Sequence, residues 1–220
     1  MNATAPIVVP ILATPFGVVP LPEASPLNSA LSSLFAARMA ADASRPANPL
    51  CYRSRDDLLE WPEEPVRLLA AAIIRGVYAV VESVNDFSDA QLREFQLEAR
   101  GWFTIVKPDG CVPAASLPNT AWCGIYCVAA PAASSTRADS GVLRLYESRL
   151  GTMFHDPTHS VMRMPFKPNH CSWRPVPGQL AVFPASLTHE IALLRSAGEL
   201  VLVTVRVRFA APGQQGIPRW

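Results

Sequence analysis

Proline limits how this chain can fold more than any other residue. It occupies 22 of 220 positions, about twice the usual ~5%. Proline fixes φ and removes a backbone donor, so it is kept out of helix interiors and central strands. A chain interrupted this often is no helical bundle. It must be assembled from short segments joined by many turns.

The length fits one large domain, on a prior of about 150 residues per domain, and a chain of this size buries roughly 70% of its unfolded surface without needing a metal or disulfide. Hydrophobic residues make up 50% and charged residues 17%, which excludes a disordered chain. No stretch approaches the ~18 uncharged apolar residues of a membrane span, so no membrane partner is expected. A net charge of +1 gives nucleic acid nothing to recognise. The apolar N-terminus lacks a basic start and is broken by Pro6, Pro10, Pro15 and Pro20, so it does not read as a secretory signal. The five cysteines, Cys51, Cys111, Cys123, Cys127 and Cys171, are odd in number and form no CxxC pair. Reduced thiols and a cytoplasmic location are expected.

The pattern along the chain predicts a helical front and a strand-rich back. Residues 5–22 read as extended, with one strand around Ile7–Phe16. Residues 28–41 carry Leu31, Leu34, Phe35 and Met39 at helical spacing, and 43–56 read as a loop. Pro65 opens a helix to Val84, with Val66, Leu69, Ile73, Val77, Val80 and Val84 on one face. Ser88 and Gln91 form a capping box that predicts a third helix to Arg100. From Trp102 the sequence turns to strands, predicted at 102–106, 122–129, 141–147, 172–176, 180–183, 191–194 and 200–209. The expectation is a single α+β domain over residues 1–220. Residues 1–100 supply an extended segment and helices, packed on one side of a β-sandwich built from 101–210.

Three stretches carry a family resemblance. Trp173–Ile191 contains P-G-Q-L-A-V-F-P-A-S-L-T-H-E-I, Trp122–Val128 reads W-C-G-I-Y-C-V, and Gly141–Arg149 reads G-V-L-R-L-Y-E-S-R. In order and spacing these resemble motifs of the Fe(II)/2-oxoglutarate-dependent oxygenases, in their small bacterial and phage branch. The resemblance covers about residues 45–210 and implies a double-stranded β-helix (jelly-roll, cupin-like) with the N-terminal helices on its outer sheet. It makes His189 the distal iron ligand and implies Fe(II) and 2-oxoglutarate as cofactors.

The resemblance also exposes gaps. Iron enzymes of this type need a facial set of two histidines and a carboxylate. The upstream ligand pair falls at Ala115 and Leu117, and no histidine precedes His155. The arginine that clamps the 2-oxoglutarate carboxylate falls at Leu200. Strand parity puts Thr204 and Arg206 on the face of Leu200, making them cofactor-binding candidates along with Tyr126. His155, His159 and His170 are the remaining imidazoles that could join His189 at a metal. Each candidate also has a structural reading: His189 as a hydrogen-bonded strand-end residue, His155, His159 and His170 as turn histidines, and Tyr126 and Tyr146 as core. Arg53, Arg55, Asp56 and Asp57 read as a solvated turn or as the lid of a pocket. Glu190 and Glu199 are the nearest acids in the motif region, and Glu190 alternates away from His189, so Arg206 is expected to face an anionic small molecule rather than an ion-pair partner.

Three functions remain open at this stage. One is an oxidoreductase with a non-standard metal set, and another is a non-catalytic small-molecule-binding or accessory protein on the same fold. The third is a metal-free enzyme with His189 as acid/base and Arg206 holding a carboxylate or phosphate.

Overall fold

The computed structural model describes residues 13–42, 48–131, 138–146 and 170–210. Among the described residues, two antiparallel sheets, three α-helices and a 3-10 turn at Leu58–Glu60 make up the fold. Strands β1 (Gly17–Pro20), β2 (Cys51–Arg53), β3 (Gln96–Val106), β5 (Trp122–Ala129), β8 (Gln179–Pro184) and β10 (Leu200–Ala210) form a six-stranded sheet ordered β1-β8-β5-β10-β3-β2. The four-stranded sheet is ordered β4-β9-β6-β7, from β4 (Val112–Ala115), β6 (Leu143–Tyr146), β7 (His170–Trp173) and β9 (Thr188–Ile191). The N-terminal residues supply both edge strands of the large sheet, β1 beside β8 and β2 beside β3.

Strand parity sorts the core into two layers. Val201, Val203, Val205 and Val207 of β10 face the helices, while Leu200 and Leu202 face the small sheet. The inter-sheet layer joins Cys123, Ile125 and Phe183 of the large sheet to Leu143, Leu145 and Ile191 of the small one.

Helix α2 (Glu64–Ser83) buries Val66, Leu69, Ile73, Val77, Val80 and Val81 against the large sheet. A side chain at Gly76 would put its Cβ 2.7 Å from Leu180 Cδ2, so any larger residue there would force Leu180 to shift. Helix α1 (Ala24–Ala41) buries Asn28, Leu31 and Phe35. It starts four residues earlier than the apolar spacing suggests, because Pro26 sits in the first turn, where the missing N–H has no partner to lose.

The capping box at Ser88 is present, but α3 runs only from Asp89 to Glu94 instead of reaching Arg100. The next residues are taken by β3, which pairs with β10 through eleven registered positions from Gln96↔Ala210 to Val106↔Leu200. A cap starts a helix; long-range pairing decides where it stops. Strands β2 and β4, with no patterned run of their own, fall in stretches read as loop. Of the strand expected at 7–16, residues 7–12 lie outside the described residues and 13–16 are in no strand; among the described residues the first strand is 17–20. Strand β9 begins at Thr188, so His189 lies within a strand and not before one.

Aromatic stacking fastens α1 to the sheet. Phe35 and Phe103 stack at 4.2 Å between ring centroids, with Tyr52 and Trp61 at the flanks of Phe103. On the same face Tyr126 donates a 2.6 Å hydrogen bond to Asn28 Oδ1. We expect Phe103→Ala to cost about 3–5 kcal/mol of stability, and Tyr126→Phe about 1–3 kcal/mol by leaving the Asn28 amide oxygen without its donor. Urea denaturation of both variants checks the ranking.

Candidate functional site

His189 sits on β9 with its side chain on the inter-sheet face. Its cross-strand partners there are Leu145 on one side and Ala115 on the other. Phe183 packs against the imidazole, ring centroids 5.1 Å apart. The ring Nδ1 lies 3.0 Å from the Leu187 carbonyl; since a carbonyl only accepts, Nδ1 carries the proton and Nε2 is left as the acceptor. Burial lowers the proton affinity of His189 below that of an ordinary histidine, and the Leu187 bond works the other way.

A metal at His189 would need two further donors, and the neighbouring positions do not supply them. Ala115 stands directly opposite His189 across the β4–β9 pair. Leu117 follows it, its backbone N–H bonded to the Ala185 carbonyl and its side chain packed on the inter-sheet core. Neither side chain can bind a cation. His170 cannot join His189: it pairs with Tyr146, one residue out of phase with Leu145, so it lies on the outer face of the small sheet. His155 and His159 lie outside the described residues. Among the described residues, no group of three or more His, Cys, Asp or Glu side chains is placed to hold a metal ion. The residues present do not fit an iron triad.

They do not fit a 2-oxoglutarate clamp either. Leu200 is 2% exposed within the inter-sheet core, beside Leu202 and Leu194. Further along the same face stand Cys127, opposite Leu202, whose thiol burial pushes up to about 12, and Cys123, opposite Arg206, whose thiol burial pushes far above its ordinary range. Tyr126 points to the opposite face of the large sheet, where burial raises its hydroxyl to about 12. This placement removes it from any cofactor pocket between the sheets.

Thr204 and Arg206 do continue the inter-sheet face of β10, past Leu202. Thr204 is buried opposite Ile125 and Trp102, and Arg206 stands opposite Cys123 on one side and Arg100 on the other. Arg206 was expected to meet an anion rather than an acidic side chain. It instead donates to Asp56 Oδ2 at 2.6 Å, in a pair with side-chain exposures of 19% and 38%.

The acid arrives from a part of the chain remote in sequence. Ser54 is locked to Phe103 by two hydrogen bonds, its N–H to the Phe103 carbonyl and its Oγ accepting the Phe103 N–H. Asp57 bridges to Gly101, and Asp56 is thereby held over the end of the sheet. Around the pair stand Arg208, bonded to Glu98, and Arg53, whose guanidinium lies 4.2 Å over the Trp102 ring. Burial lowers Arg206 below the ordinary arginine range; Asp56 opposes this, while Arg100, Arg53 and Arg208 reinforce it. Of this cluster, Glu98, Arg100 and Trp102 were not singled out from sequence. Their alternation on β3 is the signal that could have revealed them, and the expectation of a helix to residue 100 concealed it.

Because burial disfavours the charged His189, the unfolded chain takes up its proton first. Stability is therefore full above about pH 6.5 and is lost as pH falls toward the lower folded-state value. Melting curves from pH 8 to 5 should fall more steeply for the native protein than for His189→Gln. Parallel curves would show that this histidine does not titrate on unfolding.

No protein-family model matches the sequence, and no curated protein matches it. Solved structures do. A prolyl-4-hydroxylase of Pseudomonas putida aligns at a TM-score of 0.56 and 15% identity, over 90% of this chain and 93% of its own. HygX of Streptomyces hygroscopicus, solved with nickel and 2-oxoglutarate bound, aligns at 0.60 and 13%, over 94% and 86%. SnoN, a non-heme α-ketoglutarate-dependent epimerase of nogalamycin biosynthesis, aligns at 0.57 and 12%, over 92% and 82%. At these identities the likeness concerns the backbone: this chain has the fold of the 2-oxoglutarate/Fe(II) oxygenases.

Proposed function

We propose that this chain is a double-stranded β-helix of the oxygenase type that has given up the iron site and acts as a binding protein for a small anionic molecule. Two features support the β-helix reading. The sheet orders β3-β10-β5-β8 and β4-β9-β6-β7 interleave as two stacked sets of antiparallel strands, and the two sets share one apolar core. The observation that carries the functional reading is the Ala115–His189 pair, in which a methyl group faces the one histidine the resemblance makes a ligand.

Fold and chemistry separate here for a physical reason. Sheet pairing and apolar burial hold a chain of this length together, so ligands can be lost while the barrel persists, and function follows the site rather than the fold. Without partners, His189 is a neutral imidazole with one open acceptor, a weak single ligand for iron.

Anaerobic Fe(II) titration with metal analysis of the purified full chain tests the reading. We expect no stoichiometric iron at micromolar concentrations and no change on adding 2-oxoglutarate. One iron per chain, lost in His189→Ala, would overturn the proposal and establish the oxidoreductase reading with a non-standard ligand set; alanine replacement of His155, His159 and His170 would then find the other donors.

A further inference from the structure

The exposed end of the large sheet concentrates positive charge. Four guanidiniums, from Arg53, Arg100, Arg206 and Arg208, share it with two carboxylates, Asp56 and Glu98. Asp56 answers Arg206 and Glu98 answers Arg208. Among the described residues no carboxylate pairs with Arg100 or Arg53, so the named guanidiniums outnumber the named carboxylates four to two.

The arrangement is costly on its own. Arg100 and Arg206 are directly opposed across the β3–β10 ladder, where Cα atoms stand roughly 4.5–5.5 Å apart and like charges destabilise the pair. Arg206 is only 19% exposed, so water does little to screen it.

We propose that this end of the sheet is a binding site for a phosphate group in its doubly charged form, held between Arg100 and Arg206 with Arg53 beside it. The proposal rests on the ligand-binding reading above and names the class of ligand. A phosphate brings about two negative charges and three acceptor oxygens at one centre, matching both the charge excess and the planar donor forks of arginine. Two guanidiniums opposed on a single cross-strand pair converge on one group. A dicarboxylate splits its charges between the ends of a carbon chain and fits this geometry less well.

Isothermal titration of the full chain with inorganic phosphate, at low and at physiological salt, tests the site, alongside melting temperatures without phosphate. The native protein should bind one phosphate, more weakly as salt rises. Arg100→Gln should weaken binding at least tenfold and, by removing the like-charge contact, should melt no lower than the native protein in phosphate-free buffer. Arg195→Gln, a change at an exposed arginine paired with Asp109, should bind phosphate as the native chain does. Absence of saturable binding to native protein, unchanged binding in Arg100→Gln, or succinate binding as tightly as phosphate would each overturn the proposal. Iron in the native protein would defeat the metal-free reading without altering this titration, and a failed titration would leave that reading standing.

Discussion

The pairing of β3 with β10 fixes what every other element meets. Eleven consecutive residue pairs lock the two strands together, and β5 joins the other edge of β10. In that register the odd-numbered valines of β10 receive the helices, while Leu200, Leu202, Thr204, Arg206 and Arg208 turn the other way. A slip of one residue would send the valines into the inter-sheet space and the arginines under α2. Helix placement, inter-sheet core and charged end all follow from one ladder.

On the proposed reading, the same ladder lets the fold stand without its ligands. Positions that would hold a metal and a cosubstrate carboxylate in iron oxygenases carry Ala115, Leu117 and Leu200. Leu117 and Leu200 pack with the inter-sheet core. At each position the proposal sets a residue that gains from burial where a ligand would have to be desolvated and paired. Polar chemistry is displaced to the rim, where arginines and carboxylates still reach water.

Much of this was legible in the sequence. The apolar runs at 122–129 and 200–209 and the P-G-x-L…F-P…H stretch report strands directly, and the fixed period of two sorts their residues between two faces, both of them buried. His189 and the inward phase of Arg206 were readable for that reason. What was not readable depended on contacts distant in sequence. Gln96–Arg100 follows a sound capping box and becomes a strand only because β10 is there to pair with it. Asp56 reaches Arg206 across 150 positions because Ser54 and Asp57 fasten its loop to β3, and no local pattern announces that. The missed helix boundary also hid Arg100, one of the two rim arginines that meet no carboxylate among the described residues.

The central claim is that the iron site was lost by substitution within an intact scaffold, and restoring the ligands tests it most directly. A double variant, Ala115→His with Leu117→Asp, places an imidazole and a carboxylate where the resemblance puts the missing pair, beside native His189. Iron stoichiometry after anaerobic loading, with circular dichroism to confirm the fold, is the measurement. The account predicts about one Fe(II) per folded chain in the double variant, abolished by adding His189→Ala. A folded double variant that binds no more iron than the native chain would contradict it.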